Sequence, residues 1–440
     1  MEAAKEQKSV YLREFEAMPA TGETWLDDLR RRAMADFERQ GFPHRRIEAW
    51  KNANLASLAQ QHFPPAAPGA DIDGYLRKLT ESVPDALRMV FVDGHFSARH
   101  SDLTDLPEGL RMVSLAEAFE AGDVTTDAHF GRHADTGEHP FAALSTAFAR
   151  DGALIELAPG TIVERPVVLH YFTSEGGAGM ASYPRLLVHA GTGSEVRLVE
   201  HHAGVADEPY LTCPVSEIVV DDNAGVRLQH LQESGNGAWH LGVVHVELGR
   251  DARFGMHAFS GGARFGRTDV YVNLNGSGAQ ASLNGLYMVS SGQFADYHTW
   301  VRHRTDHGSS EQYFKGVLDG KAESVFDGLI HVAKGAQQTD SQQQNRNLLL
   351  SPRATAHSNP RLEIYADDVK CGHGSTVGEL DADALFYLRS RGLGEQEARR
   401  LLIFAFANET LDSMTAPELR DHVEARLANW LDDDRAGGSG

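Results

Sequence analysis

The stretch Val244-His-Val-Glu-Leu-Gly-Arg-Asp-Ala-Arg-Phe-Gly-Met-His-Ala258 decides the fold. Val244, Val246 and Leu248 alternate with polar neighbours, Gly249-Arg-Asp251 interrupts the run, and Phe254, Met256 and Ala258 alternate again. Alternation with period two gives each segment one apolar face, as in a half-buried strand, and the Gly–Asp punctuation supplies the turn. The unit recurs on both sides. Val196 and Leu198, Val226 and Leu228, and Val270, Val272 and Leu274 alternate in the same way, with turns at Ala158-Pro-Gly160, Gly191-Thr-Gly193, Asp222-Asn-Ala-Gly225 and Asn275-Gly-Ser-Gly278. The turns recur every 26 to 34 residues, roughly, which is the range of stacked repeats. No helical pattern intervenes, which argues against a parallel α/β sheet. Two all-β arrangements remain, a sandwich or barrel and a β-helix of stacked coils. The length of the recurrence favours the β-helix.

The flanks read differently. Residues 1–150 are expected to form a mainly helical region. Thr24-Trp-Leu-Asp27 reads as a capping box, Leu26, Leu29, Ala33 and Phe37 make an apolar stripe at helical spacing, and Gly41 and Pro43 stop the helix. The run Gly41–Lys51 reads as a packed elbow with a salt bridge, and residues 63–70 as a linker. Arg88–Val92 is a strand followed by a tight turn at Asp93-Gly94, Leu115–Ala121 a short helix, 122–138 a polar loop, and Phe141–Arg150 a helix. The β-helix core is placed at 151–378. A C-terminal helical region is placed at 379–434 and a disordered tail at 435–440. In the helical region Asp381 is an N-cap, and Glu395–Ala407 is apolar nearly all round, so it should be buried in the chain's own core or against a partner. Thr415-Ala-Pro-Glu418 is a second capping box, and Leu419, Val423, Leu427 and Trp430 line the last helix. A β-helix has open ends, so the tail is expected to cap one, to dock a partner, or both.

Composition excludes several classes. Of 440 residues, 41% are hydrophobic and 23% charged, as in a soluble globular protein. The net charge of −21 argues against nucleic acid and against anionic membranes. The first ten residues lack the apolar core of a signal peptide, no run reaches the length of a membrane span, and there are two cysteines, so a cytoplasmic, reducing setting is expected. No phosphate-binding loop, Gly-x-Ser-x-Gly, His-Glu-x-x-His or Cys-x-x-Cys occurs. Asp221-Asp222 and Asp367-Asp368 are the carboxylate doublets of a polysaccharide-active β-helix enzyme, but neighbours on a strand face opposite sides. Of 22 histidines, His201, His202, His230, His240, His245, His257, His298, His303, His307 and His331 fall among the strands. Stacked coils would bring some of them together, yet their spacing matches no metal-ligand signature, and they are left outside the candidate site.

One stretch carries chemistry, Tyr365-Ala-Asp-Asp-Val-Lys-Cys-Gly-His-Gly-Ser-Thr-Val-Gly-Glu379. On a strand Cys371 and His373 share one face, about 7 Å apart. Gly372 and Gly374 leave the backbone open to another surface. Taken alone, such a pair is more often a buried thiol and a hydrogen-bonded imidazole than a metal site. Just upstream, Gln337-Gln-Thr-Asp-Ser-Gln-Gln-Gln-Asn-Arg-Asn347 fits an amide ladder between coils or a polar groove.

The runs Thr339–Ser351, Pro360–Gly378 and Leu385-Phe-Tyr-Leu-Arg-Ser-Arg-Gly-Leu393, with the Gly41–Lys51 elbow and Phe141-x-x-Leu-x-x-Ala-Phe-x-x-Asp-Gly152, resemble the SufB/SufD family of iron–sulfur cluster assembly proteins. The resemblance covers nearly the whole chain. Its Cys-x-His-Gly form is similar to the SufD branch rather than the SufB branch, although Gly372 stands where the family usually has Ser or Thr. It implies a right-handed parallel β-helix between two helical regions, acting as a non-catalytic scaffold. It implies a heterodimer with SufB through the end of the β-helix and two copies of the ATPase SufC docked on C-terminal helices, here through Leu401, Phe404, Phe406, Leu419 and Val423. It places Cys371 and His373, the latter the better ligand, at a SufB interface where iron or a nascent cluster sits transiently, with no cofactor held tightly by the isolated chain. A SufB-like subunit and a polysaccharide-active enzyme are the alternatives, and the isolated chain is left the option of a homodimer through the same surface.

Overall fold

The computed structural model describes residues 2–437 except 69–71, 73, 76–82, 84, 206, 207, 413, 415 and 416. Two long sheets face each other. In the first, the strand order is His95–Phe96, Leu87–Val92, Val167–Thr173, Glu195–Gly204, Gly225–Glu233, Arg253–Ser260, Gln280–Val289, Ser309–Leu318, Thr339–Leu349 and Val369–Gly378. In the second it is Leu110–Ser114, Gly152–Leu157, Arg185–Ala190, Val215–Val220, Ala238–Leu248, Phe265–Leu274, Phe294–His303, Glu323–Val332 and Thr355–Ile364. The chain visits the sheets in turn and every ladder between two strands that both lie at or after Gly152 is parallel, so the protein is a β-solenoid of about eight turns and not a sandwich or barrel. Register gives the coil length directly. Val226 pairs with Phe254 after 28 residues, then Ala281 after 27, Ser310 after 29, Ser341 after 31 and Cys371 after 30.

The turns stack as well. Gly193, Asn223, Asp251 and Gly278 take positive φ. Each donates its N–H to a carbonyl of the following turn, at Asp222, Arg250, Ser277 and Asp306. The left-handed conformation aims the N–H along the solenoid axis, which is why Gly, Asn and Asp punctuate the sequence there.

The alternation also sorts the side chains. Positions such as Val226, Leu228, Phe254, Met256, Val244, Val246 and Leu248 fill the solenoid interior. The opposite rows face outward and are covered by the flanking regions. On the second sheet, Trp239, Leu241 and Phe265 pack under Phe37, Trp50, Phe141 and Leu144 of the N-terminal region. Two buried arginines reinforce this contact. Arg185 bonds Glu217 at 2.6 Å and Thr146 at 2.7 Å. Arg267 pairs with Asp269 and Asp296 and lies 3.6 Å from the centre of the Trp50 ring.

Several local expectations shift by a few residues. Thr24 is the first residue of helix Thr24–Gln40 rather than its cap; the Asp27 carboxylate instead accepts from the N–H and hydroxyl of Thr21. The 122–138 segment contains a short helix, Val124–His129, because Asp123 caps the N–H groups of Thr125 and Thr126. Leu87–Val92 does not stay with the helices but pairs with Val167–Thr173 and extends the first sheet. The second capping box begins at Thr415 and Ala416, which lie outside the described residues, as do 438–440; the last helix, Pro417–Gly437, covers the start of the expected tail. Among the described residues no helix is long and apolar enough to cross a membrane.

The helical tail does not cap the solenoid. Helices Glu395–Leu411 and Pro417–Gly437 lie along the outer face of the first sheet, where Ile403, Ala407, Leu411, Leu419, Val423 and Leu427 cover Val199, Leu231, Phe259, Leu286, Val317 and Leu348. Polar anchors fix them. Lys315 donates to the Phe406 carbonyl and pairs with Glu409, both at 2.6 Å, His257 donates to the Thr410 carbonyl at 2.8 Å, and Glu233 accepts from His422 and Arg426. Glu395–Leu411 is therefore covered on one side by the chain's own core, and its other side is open in the isolated chain, where Leu401 stays 49% exposed.

Candidate functional site

The last coil is the bare end of the solenoid. Thr355–Ile364 and Val369–Gly378 are the edge strands of the two sheets, and most of their residues are partly or fully exposed. Cys371 and His373 share one face of this coil, in register with interior positions of the coil before it. Cys371 stands opposite Ser341 and His373 opposite Gln343. The columns continue inward as Ser341–Ser310 and Gln343–Gln312. They belong to a polar plug. The hydroxyls of Ser341 and Ser310 are 2.6 Å apart, and Ser310 contacts His303 at 2.9 Å. Gln312 accepts from Thr299 at 2.7 Å. Both amide atoms of Gln343 are buried without a hydrogen-bond partner among the described residues. Asn345, Asn347 and Tyr287 close a further triangle of bonds at 2.6 to 3.0 Å.

The expected amide run thus resolves as a strand whose alternate residues Ser341, Gln343, Asn345 and Asn347 are interior, while Gln342, Gln344 and Arg346 point out. Gly328 of the facing sheet is part of this design, because a Cβ there would collide with Gln343.

Cys371 is half-buried beside Ile330, Val332, Ala336 and Ala366. Burial pushes its thiol up and the neighbouring Asp340 adds to the effect, so it is held as a neutral thiol. His373 is exposed. Two donors on one strand make half a coordination shell, because iron and iron–sulfur centres take four ligands, largely thiolate. At Gly372 a Cβ would meet only the tip of Gln342, at 2.8 Å, so the departure from Ser or Thr is easily absorbed.

The other candidate residues are divided. Leu419 and Val423 are 2% and 0% exposed, within the chain's own core. Phe404 and Phe406 are partly buried against the same core. Leu401 is free, and with Phe386 and Tyr387 of helix Ala382–Ser390, 74% and 56% exposed, it forms the apolar surface of the tail. The carboxylate doublets form no acid–base pair. Asp222 binds Arg250, Asp221 faces His189, and Asp367 and Asp368 are solvated. A groove of about 900 Å³ along the outer face of the first sheet carries both charge signs, including Glu164, Arg197, Arg227 and Glu311.

One constellation lay outside the sequence-based site. Glu200, His202 and His230 converge inside the solenoid, with ligand atoms within 4.8 Å of one another. Its only signal in the sequence is the separation of Glu200 and His230 by one coil, which is meaningful only once the register is known.

The described residues thus form a parallel solenoid with a helical region on each flank and a Cys-x-His pair on its bare end. The profile of the SUF system FeS cluster assembly SufBD core domain matches residues 171–406, and that of the SufBD protein N-terminal region matches residues 1–169. The chain belongs to the SufBD family. It is similar to the iron–sulfur cluster assembly protein SufD of Escherichia coli, 31% identical over 398 residues, which span 89% of this chain and 90% of that one. It is 30% identical over 394 residues to a SufBD family protein of Synechocystis, covering 87% and 86% of the two chains. It is 31% identical over 399 residues to the chloroplastic protein ABCI7 of Arabidopsis thaliana, covering 89% and 83%.

Proposed function

We propose that the chain is the SufD-like subunit of a cytoplasmic scaffold that pairs with a SufB-like chain through its last coil. The observation that carries this reading is the pair of bare edge strands, Thr355–Ile364 and Val369–Gly378, bearing Cys371 and His373. Unpaired edges in register are templates for another strand, and natural proteins cover or charge them unless they are used. Ile364, Tyr365 and Val377, all exposed, supply apolar contact beside the edges. His373, with Cys371, completes a shell for iron or a nascent cluster with ligands from the partner; iron is cargo here and not a resident cofactor. Without SufB the same edges pair with a second copy, giving a homodimer.

The SufC ATPase docks on the tail. Phe386, Tyr387 and Leu401, with the exposed sides of Phe404 and Phe406, meet it, while Leu419 and Val423 hold the tail to the sheet so that motion of the ATPase reaches the solenoid. The chain itself contributes no catalysis. Co-expression with SufB-like and SufC-like partners, followed by anaerobic reconstitution, tests this. A complex is expected, with cluster yield falling in His373→Ala while assembly is unchanged. Absence of a complex sinks the scaffold reading; an unchanged yield sinks only the ligand assignment.

A further inference from the structure

The interior of the second to fourth coils holds a second polar island, far from the bare end. Glu200 and His202 lie on strand Glu195–Gly204, His230 on the next strand of the same sheet, and His240 enters from the facing sheet. All four are at most 2% exposed. His202 contacts a Glu200 oxygen at 2.9 Å, and Ser216 reaches both oxygens at 2.8 and 2.9 Å. The His202 ring centre lies 5.5 Å from that of His230 and 5.0 Å from that of His240. Thr212 bonds Nδ1 of His240 at 3.0 Å, which leaves Nε2 of that ring without a partner, and Nδ1 of His230 is likewise without one.

A structural hydrogen-bond network should not look like this. It buries an acid with no Arg or Lys among its bonding partners and leaves two ring nitrogens unused. An unpaired buried polar group costs about 1–3 kcal/mol and a buried charge more. A divalent cation resolves both problems at once, since it neutralises the acid and accepts lone pairs from imidazoles. The donor set is two imidazoles and a carboxylate with a third imidazole beside them, which suits Zn²⁺ or Fe²⁺ rather than Mg²⁺ or Ca²⁺. Ser216 and Thr212 stand where the outer groups of a metal site stand, each orienting a ligand through a hydrogen bond. We propose that Glu200, His202 and His230, with His240 alongside, form a binding site for one divalent first-row transition ion inside the solenoid. It is separate from the end site, because the coil bearing His373 lies five strands beyond that of His230, roughly 24 Å at the usual strand spacing.

The test uses the full chain purified from cells grown with added Co²⁺ or Zn²⁺. About one ion per chain by elemental analysis is expected, with cobalt ligand-field absorption that lacks a thiolate charge-transfer band, and a higher melting temperature than after chelation. Glu200→Gln keeps the side-chain size but removes the anion, and is expected to lose the ion, as is His230→Gln. Ser216→Ala, which only orients Glu200, should weaken binding about tenfold or more. His257→Gln and His373→Ala should leave the metal content unchanged. A wild-type chain without metal overturns the proposal. So does a thiolate band, or loss of the ion in His373→Ala, since either places the metal at the end site. If the site variants fail to fold, the wild-type spectrum and the chelation shift still decide.

Discussion

The two ends of this solenoid are finished in opposite ways. At the N-terminal end Leu110–Ser114 turns antiparallel against Gly152–Leu157, and His95–Phe96 does the same against Leu87–Val92, so both sheets end on reversed, short strands. Helices and two buried arginine clusters cover the adjoining face. At the C-terminal end two ten-residue strands stop bare. The interior changes in step. The column Val196, Val226, Phe254 and Ala281 gives way to Ser310, Ser341 and Cys371, and the column Leu198, Leu228, Met256 and Leu283 to Gln312, Gln343 and His373. An apolar interior at a bare end would be a sticky surface. A polar plug keeps the end soluble and orders the backbone of the coil that carries the ligands.

Breaking the covered face should have the largest effect on folding. Arg267→Leu leaves the buried carboxylates of Asp269 and Asp296 with only His139 and His298 as ion-pair partners among the described residues, so about 3–5 kcal/mol of stability is expected to vanish in urea denaturation. On the tail, Leu419→Ala should cost about 2–5 kcal/mol, whereas Leu401→Ala should leave the melting temperature in place and weaken only ATPase binding in a pull-down.

Acid should act through the buried histidines. His257 and His303 are held neutral in the fold, each pushed down to about 4 by burial. In the unfolded chain they take a proton near pH 6.5. Between pH 6.5 and 4 the unfolded chain therefore binds more protons, and stability falls as pH drops, by up to about 1.4 kcal/mol per pH unit for each histidine. Denaturation at pH 7.5, 6 and 5 measures the slope, and His257→Gln should flatten it.

The open end should behave in reverse. Val377→Lys places a charge beside the edge and is expected to shift stability by no more than about 0.5 kcal/mol, yet to abolish pairing with SufB on size exclusion. Smallest of all, Gly372→Ser should change neither, since its Cβ meets only the end of Gln342.

The sequence by itself determined the strands and their punctuation, and favoured a solenoid over a sandwich or barrel. Period-two alternation and left-handed turn residues are local demands of the backbone, readable without knowing what stacks on what. It also placed Cys371 and His373 on one face, because residues spaced i, i+2 share a face in any strand, but only the family resemblance made the pair a candidate site. Other features were legible only in part. The apolar helix Glu395–Leu411 announced burial, but not that one side would face the sheet and the other remain open. The amides of Thr339–Asn347 were visible, but not that alternate ones would fill the interior under His373.

Tertiary structure alone decided which end is bare, where the tail lies and which histidines meet. These depend on register. Moving a coil by two residues would keep every strand pattern intact and still separate Glu200 from His230, or His373 from Gln343. Coil length varies between 27 and 31 residues over the last coils, and only the pairing of strands resolves that variation into columns. A local pattern fixes the face of each side chain, and the stacking fixes its neighbours.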